Sequence, residues 1–329
     1  MQPLLEIKDL RIEFDTFEGT SHVLDGICLV LGHSDTLGLV GETGCGKSIT
    51  AKAILRLLPT PAARLATGEI LFQGRDLLKA SEEEIQTIRG KKIAMVFQDP
   101  MTFLNPVFTI KEQLVDVILA HQKGDGYQGK KLTRGQAVDK AIELLGEVRI
   151  PRPDYRIQSY PHEFSGGMRQ RVLIAMALSG SPQILIADEP TTALDVTIQA
   201  QILKLIQDLV DSHHLSVLLI SHDLGVVAKI CRRIAVMYAG NIVENGTTVQ
   251  IFKGGLHPYT QGLLNSILKF SKRESEAQVI KGTIPNLIHP PPGCRFYPRC
   301  LEMVDVCKRE KPHSVEIEDG HWVSCHRYK

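Results

Sequence analysis

Eight residues, GETGCGKS at 41–48, restrict this chain more than any other stretch. They fit G-x-x-x-x-G-K-[ST], follow a run of buried-strand type, DTLGLVG (35–41), and open a helix-period segment from Lys47 to Leu58 that Pro59 stops. In that setting the glycines let backbone N–H groups wrap a phosphate, and the helix N-terminus adds a favourable dipole. The binding loop is taken as Gly41, Glu42, Thr43, Gly44, Cys45, Gly46, Lys47, Ser48 and Ile49. Lys47 would reach the outer phosphates of a nucleotide, and the Ser48 hydroxyl would bind Mg²⁺. By itself the motif predicts a nucleotide-phosphate site and no narrower class.

The rest of the chain supplies a body for such a site. At 329 residues, 43% hydrophobic and with formal net charge +1, it is long enough for a large core and for two domains. A near-zero charge removes the electrostatic case for bulk nucleic-acid binding. The start, MQPLLEIKDLRIEF, lacks a basic segment and carries Glu6 and Asp9 within its apolar stretch, so it is not read as a signal peptide. No apolar run approaches the roughly 18 residues that span a bilayer. The expected compartment is the cytosol, where thiols stay reduced.

LRIEF (10–14) alternates like a half-buried strand, and HVLDGICLVL (22–31) like a second. Thr109-x-x-Glu112 and Thr133-x-x-Gln136 are capping boxes that open helices, with a solvated loop, HQKGDGYQGKK (121–131), between them. After residue 165 the order becomes helix, strand QILIAD (183–188), helix TIQAQILKLIQDLV (197–210) and strand LSVLLIS (215–221), a parallel α/β alternation. RRIAVMYAGNIVENG (232–246) reads as a hairpin turning near Gly240-Asn241, and the charged, then proline-rich stretch from 272 to 293 as a linker.

ILIADEP (184–190) delivers Asp188 and Glu189 to the carboxyl end of a strand, where ligands collect in a parallel sheet. Asp188 suits Mg²⁺ there, and Glu189 suits orienting an attacking water. FSGGMRQR (164–171) puts Ser165, Gly166 and Gly167 at the opening of a helix, a second set of bare N–H donors able to take phosphate. Two phosphate cradles in one chain resemble the ATP-binding subunits of ABC transporters. The resemblance covers essentially the whole chain, because further family elements stand in order. Gln98 in MVFQDP matches the Q-loop glutamine, which contacts Mg²⁺ and faces the membrane partner. Asp195 in ALD (193–195) matches the D-loop, and His222 in LLISHD the switch histidine at the γ-phosphate. Phe14 is the best match to the aromatic that stacks on adenine, with Phe17 a weaker one and a buried core role for Phe14 the competing reading.

This resemblance implies an ATPase whose catalytic groups are Glu189, His222, Gln98 and Lys47, with Mg²⁺ held at Ser48, Gln98 and Asp188. ATP would be sandwiched between the phosphate loop of one subunit and the Ser165–Gly167 loop of another. It also implies an α/β fold: a P-loop ATPase with a RecA-like parallel sheet core, an antiparallel β subdomain and a helical subdomain at about 100–165. That domain would run from 1 to 255, with a small cysteine-containing C-terminal domain at 256–329. DPMTFLNP (99–106), YPHEFSGGM (160–168) and HPYT (257–260) resemble the dipeptide, oligopeptide and nickel import subfamily. The implied protein is a peptide importer's ATPase, peripheral on the cytoplasmic face of the inner membrane. Its implied partners are a second, related ATPase, two transmembrane permease subunits and an extracytoplasmic substrate-binding protein. Nickel or another small solute is the alternative cargo, and a soluble non-transport ATPase the alternative class. Phe103, Phe164 and Cys45 depart from the serine, leucine and serine usual in the family. Cys45, with its sulfur in the phosphate loop, is expected to make the enzyme sensitive to thiol reagents.

Four of the seven cysteines lie in the tail. Cys294, Cys300, Cys307 and Cys325 have five, six and seventeen residues between them. Structural zinc sites present ligands in close pairs, C-x₂₋₄-C, and none exists here. Wide spacing suits a polynuclear core, and four cysteines are the common ligand set of [4Fe–4S]. A proline-rich tail with few apolar residues would gain from a metal staple. HPYT followed by four cysteines resembles the subfamily members associated with an iron–sulfur cluster; zinc and unligated thiols remain the alternatives.

Overall fold

The computed structural model describes residues 2–122, 131–192, 194–268 and 280–328. Ala193 of the D-loop match and parts of the loop at 121–131 and the linker at 272–293 lie outside the described residues. Two compact units divide the chain: Met1–Lys79 with Leu219–Lys329, and Ala80–Leu218.

The first unit opens with β1 (Leu5–Thr16) and β2 (Gly19–Leu31), both longer than their alternating segments predict. β3 (Thr36–Val40) is buried at all five positions, as a strand covered on both faces must be. It runs through the glycine-rich loop into α1 (Lys47–Ile54). That helix ends four residues before Leu58, and Arg56 just beyond it takes a left-handed φ of 52°. β4 (Ala63–Phe72) and β5 (Arg75–Asp76) complete an antiparallel sheet in the order β2-β1-β4-β5, registered by Leu5↔Leu31 and Leu5↔Phe72.

The second unit is mostly helical. It carries α2 (Glu82–Ile88), β6 (Ile93–Val96), α3 (Pro100–Phe103), α4 (Ile110–Ala120), α5 (Arg134–Glu147), α6 (Pro153–Arg156), α7 (Gly166–Leu178), β7 (Ile184–Asp188) and α8 (Val196–His213). β8 (Ser216–Ser221) leaves it for the first unit. The strand order is β8-β7-β6, with β6 and β7 parallel. Both predicted capping boxes form, at Thr109/Glu112 and Thr133/Gln136, and α2 begins with another at Ser81/Glu84. α7 is buried on several sides, through Val172, Leu173, Ile174, Ala175 and Leu178.

Back in the first unit follow α9 (Leu224–Ile230), β9 (Arg233–Tyr238), β10 (Asn241–Thr247), α10 (Thr248–Gly254), α11 (Pro258–Leu268), β11 (Val315–Glu318) and β12 (His321–Val323). The β9–β10 hairpin turns at Ala239-Gly240, one residue earlier than predicted, with φ of 44° and 79°, the double left-handed turn that fits strand twist. β3 pairs parallel with β9, β12 adds antiparallel to β10, and β11 adds to β12. The cysteine-bearing tail therefore belongs to the first unit, and the 255/256 boundary does not coincide with the division into units. Asp25 on β2 anchors the tail through Lys311 at 2.9 Å and Arg295 at 3.5 Å.

Candidate functional site

In the first unit, residues 41–48 form a bare cradle at the N-terminus of α1. Gly46 caps the helix with φ 110° and no side-chain acceptor, and the first turn holds no acidic residue. A Cβ at Gly41 would lie 2.1 Å from the Met237 carbonyl oxygen, so only glycine allows the loop to leave β3 here. The Lys47 ammonium is folded back into the loop, donating to the carbonyls of Gly41 at 2.7 Å and Glu42 at 2.9 Å. Cys45 is fully buried beside it, with Sγ 3.8 Å from Lys47 Nζ. Burial pushes this thiol up, and Lys47 only partly opposes it, so the expected sensitivity to thiol reagents is corrected: the thiolate is disfavoured and shielded. His222 stands exposed in the turn between β8 and α9, where Ser221 and Asp223 bind the backbone around it. Phe14 is half-buried on β1, opposite Ser21 and Ala63, and Phe17 is fully exposed.

The second unit brings the reaction-type groups together. Asp188 ends β7 and is 4% exposed. Glu189 follows with φ 46°, and its Oε2 accepts from Gln98 Nε2 at 3.1 Å and from Thr192 Oγ1 at 2.8 Å. Ser165 caps α7 by accepting from the Met168 N–H at 3.3 Å, and Gly167 packs so closely that a Cβ would lie 2.4 Å from Ile198. Gly166 at the same helix end is exposed. Asp195 caps α8 through the Ile198 N–H at 2.9 Å, a structural role beside the predicted D-loop one.

Two contacts of the phosphate loop were not anticipated. Arg299 grips the Glu42 carboxylate with both terminal nitrogens, and the Tyr259 hydroxyl accepts from the Glu42 N–H at 2.9 Å. Nothing local signals the first, since its partners lie 257 positions apart; Tyr259 at least sits within HPYT.

All seven cysteines are free thiols. Cys294 is pushed up to about 11 by burial, with the Cys307, Cys325 and Cys300 thiols adding to it. Cys300 is raised by burial and by Cys307, and Cys325 by burial, Cys300, Cys307 and Glu244. The backbone ties Cys294 N–H to Cys307 O at 2.8 Å. The four thiols thus lie within one electrostatic neighbourhood. Among the described residues, however, no group of three or more Cys, His, Asp or Glu is placed to hold a metal ion.

Comparison with known proteins follows the same lines. The profile of the ABC transporter family matches residues 24–192, and that of the oligopeptide/dipeptide transporter C-terminal region matches 243–307. The oligopeptide transport ATP-binding protein OppD of Bacillus subtilis is 48% identical over 321 residues, 97% of this chain and 87% of its own. The dipeptide transport ATP-binding protein DppD of the same organism is 46% identical over 325 residues, 99% and 95% of the two chains. Among solved structures, cbiO1 of Clostridium perfringens, part of the ABC transporter complex cbiONQ, superposes with a TM-score of 0.64 at 23% identity. It covers 82% of this chain and 96% of its own, and that likeness shows the fold.

Proposed function

This chain belongs to the ABC transporter family, and from that premise we infer that it is the ATP-binding and hydrolysing subunit that powers import of oligopeptides or dipeptides. One observation carries the cargo reading: the oligopeptide/dipeptide C-terminal region at 243–307, shared with near-full-length relatives named for peptide transport. No helix among the described residues is long and apolar enough to cross a membrane. Passage of the solute is therefore assigned to two permease subunits, fed by an extracytoplasmic binding protein, with this chain peripheral on the cytoplasmic face. Phe103, Val107 and Phe108, 48%, 71% and 48% exposed, suit burial against such a partner.

The chemistry is assigned residue by residue. Lys47 turns from its loop carbonyls to the phosphates; the N–H groups of Gly44, Gly46 and Lys47 at the N-terminal end of α1 hold their charge. Ser48, Asp188 and Gln98 would hold Mg²⁺, which when bound would neutralise charge developing on the phosphoryl oxygens. Glu189, aimed by Gln98 and Thr192, orients the attacking water, and His222 contacts the γ-phosphate. Phe14 stacks on adenine. Ser165, Gly166, Gly167 and Asp195 serve the nucleotide of a partner ATPase. In proteoliposomes holding the full transporter, a short peptide delivered by the binding protein should raise ATP hydrolysis. Stimulation by nickel and not by peptide would overturn the cargo reading.

The tail cysteines are assigned to a [4Fe–4S] cluster. Cys294, Cys300 and Cys325 are held up by burial first and by neighbouring thiols second, and a cationic core would supply the charge that keeps such a set as thiolates. A single zinc ion needs its ligand sulfurs within about 2.3 Å of one centre. A four-iron core instead takes one thiolate per iron. Protein purified without oxygen should contain about four iron and four labile sulfide per chain, lost in Cys300→Ser. Stoichiometric zinc without sulfide would replace this reading.

A further inference from the structure

The phosphate loop is held from behind by residues far along the chain, and Glu42 is where they take hold. Arg299 Nη1 and Nη2 donate to Glu42 Oε2 and Oε1 at 2.7 and 2.9 Å, a two-pronged ion pair. The arginine side chain is 6% exposed and the glutamate 29%. Arg299 has independent support: Nε donates to the Lys281 carbonyl at 2.9 Å, Nη2 to the Ile280 carbonyl at 3.4 Å, and the guanidinium lies 5.6 Å from the Tyr238 ring centre. The Glu42 backbone is held as well, by the Tyr259 hydroxyl at 2.9 Å. The carbonyls of Gly41 and Glu42 are in turn the acceptors of Lys47.

This arrangement has an electrostatic consequence. A loop built to receive a polyphosphate carries a carboxylate at its second position. Left unpaired, that charge would repel the ligand in a partly desolvated site, where such interactions are stronger than in water. We propose that Arg299 is a positioning residue for nucleotide binding. It cancels the Glu42 charge, turns the carboxylate away from the phosphates and fixes the peptide against which Lys47 is set. The proposal rests on the reading of residues 41–48 as the nucleotide loop. It makes the cysteine-bearing tail part of the support of that loop.

Titration of the full-length chain with a fluorescent ATP analogue and Mg²⁺ tests it, with a thermal melt of each variant to verify folding. Arg299→Ala should weaken binding about tenfold, and Arg299→Lys, which keeps the charge without the fork, by less. Adding Glu42→Gln to Arg299→Ala should restore most of the affinity, because the offending charge is gone. Raised salt should also narrow the Arg299→Ala deficit by screening that charge. A support role without electrostatics predicts neither rescue. Wild-type affinity in Arg299→Ala, or an Arg299→Ala/Glu42→Gln chain as weak as Arg299→Ala, overturns the proposal. If Arg299→Ala does not fold, Arg299→Lys and its Glu42→Gln combination carry the same test. Lys47→Ala separates the premise: unchanged binding in that variant defeats the nucleotide-loop reading itself, whereas its loss alongside an unaffected Arg299→Ala defeats only this inference.

Discussion

Glu189 occupies a left-handed backbone, φ 46°, which a residue with a Cβ adopts at a cost of about 1–3 kcal/mol. That conformation, with hydrogen bonds from Gln98 and Thr192, fixes the carboxylate at the mouth of β7. Glu189→Gln removes the charge that orients water and leaves the phosphate loop untouched. ATP affinity should therefore hold while turnover falls at least about a hundredfold, read by phosphate release. A wild-type rate would strip Glu189 of its role. Cys45 yields the opposite kind of prediction. Because its thiol is fully buried and pushed up by that burial, N-ethylmaleimide should label exposed Cys28 first and leave nucleotide binding within about twofold. Mass spectrometry of the labelled peptides, run beside a binding titration, checks both halves. The placement of Asp188 and Glu189 at the end of β7, where Gln98 is bonded to Glu189, was legible in sequence because each sits in a short motif. Arg299 was not, since a charge pair closed by folding leaves no local pattern. The Cys45 expectation has a related gap: the sulfur's place in the phosphate loop is readable in the sequence, but its burial is not.

At the scale of elements, the entry of α11 shows how the tail is fastened. Glu244 on β10 is 1% exposed and accepts from the Leu256 N–H at 2.8 Å and the His257 N–H at 2.9 Å, with His321 Nε2 on β12 at 2.8 Å. His257 Nδ1 then accepts from the Tyr259 N–H at 3.0 Å, which requires an unprotonated nitrogen. Burial accordingly lowers this imidazole from 6.5 to about 3. Above about pH 6.5 folded and unfolded chains both carry the neutral ring, and stability is unaffected. Between that value and about 3 only the unfolded chain takes up the proton, so stability is lost as pH falls. The expected contribution is about 1.4 kcal/mol per pH unit in that window. His257→Asn, whose side-chain oxygen replaces the Nδ1 acceptor, should flatten this slope by about one proton in denaturant unfolding at pH 5.5 and 4.5. An unchanged slope would mean that the ring is protonated where it lies. Strands and caps at this scale were mostly readable, because alternation and Thr-x-x-Glu spacing are local. The capping boxes at Ser81/Glu84 and Thr247/Gln250 carry the same signal and were overlooked. β11 and β12 had none: VEIE is half-buried at one position and exposed at three, so β11 pairs through its hairpin with β12, which in turn pairs with β10.

For the whole molecule, the decisive question is how many chains make a working engine. The sequence carries one phosphate loop, at 41–48, and one Ser165–Gly167 loop, and the two fall in different compact units. At the second loop the serine hydroxyl is engaged in its own helix cap, while Gly166 and the first turn of the 13-residue α7 carry no acidic side chain. This end can receive an anion, and in the proposed arrangement that anion is the nucleotide of another subunit. A formal net charge of +1 places no general electrostatic barrier against association. What association lacks without ATP is an attractive term, because two phosphate cradles facing each other without phosphate would present like partial charges. The chain purified alone should therefore run as a monomer on size exclusion and hydrolyse ATP slowly. Glu189→Gln with ATP and Mg²⁺ should shift it towards a dimer, and ADP should not, since ADP lacks the γ-phosphate that the second cradle would take. Because the subunit is proposed to work beside a related ATPase, mixing it with that partner should raise hydrolysis more than raising its own concentration does. A tight, fully active homodimer without nucleotide or membrane subunits would overturn both the closing model and the expectation of a second ATPase.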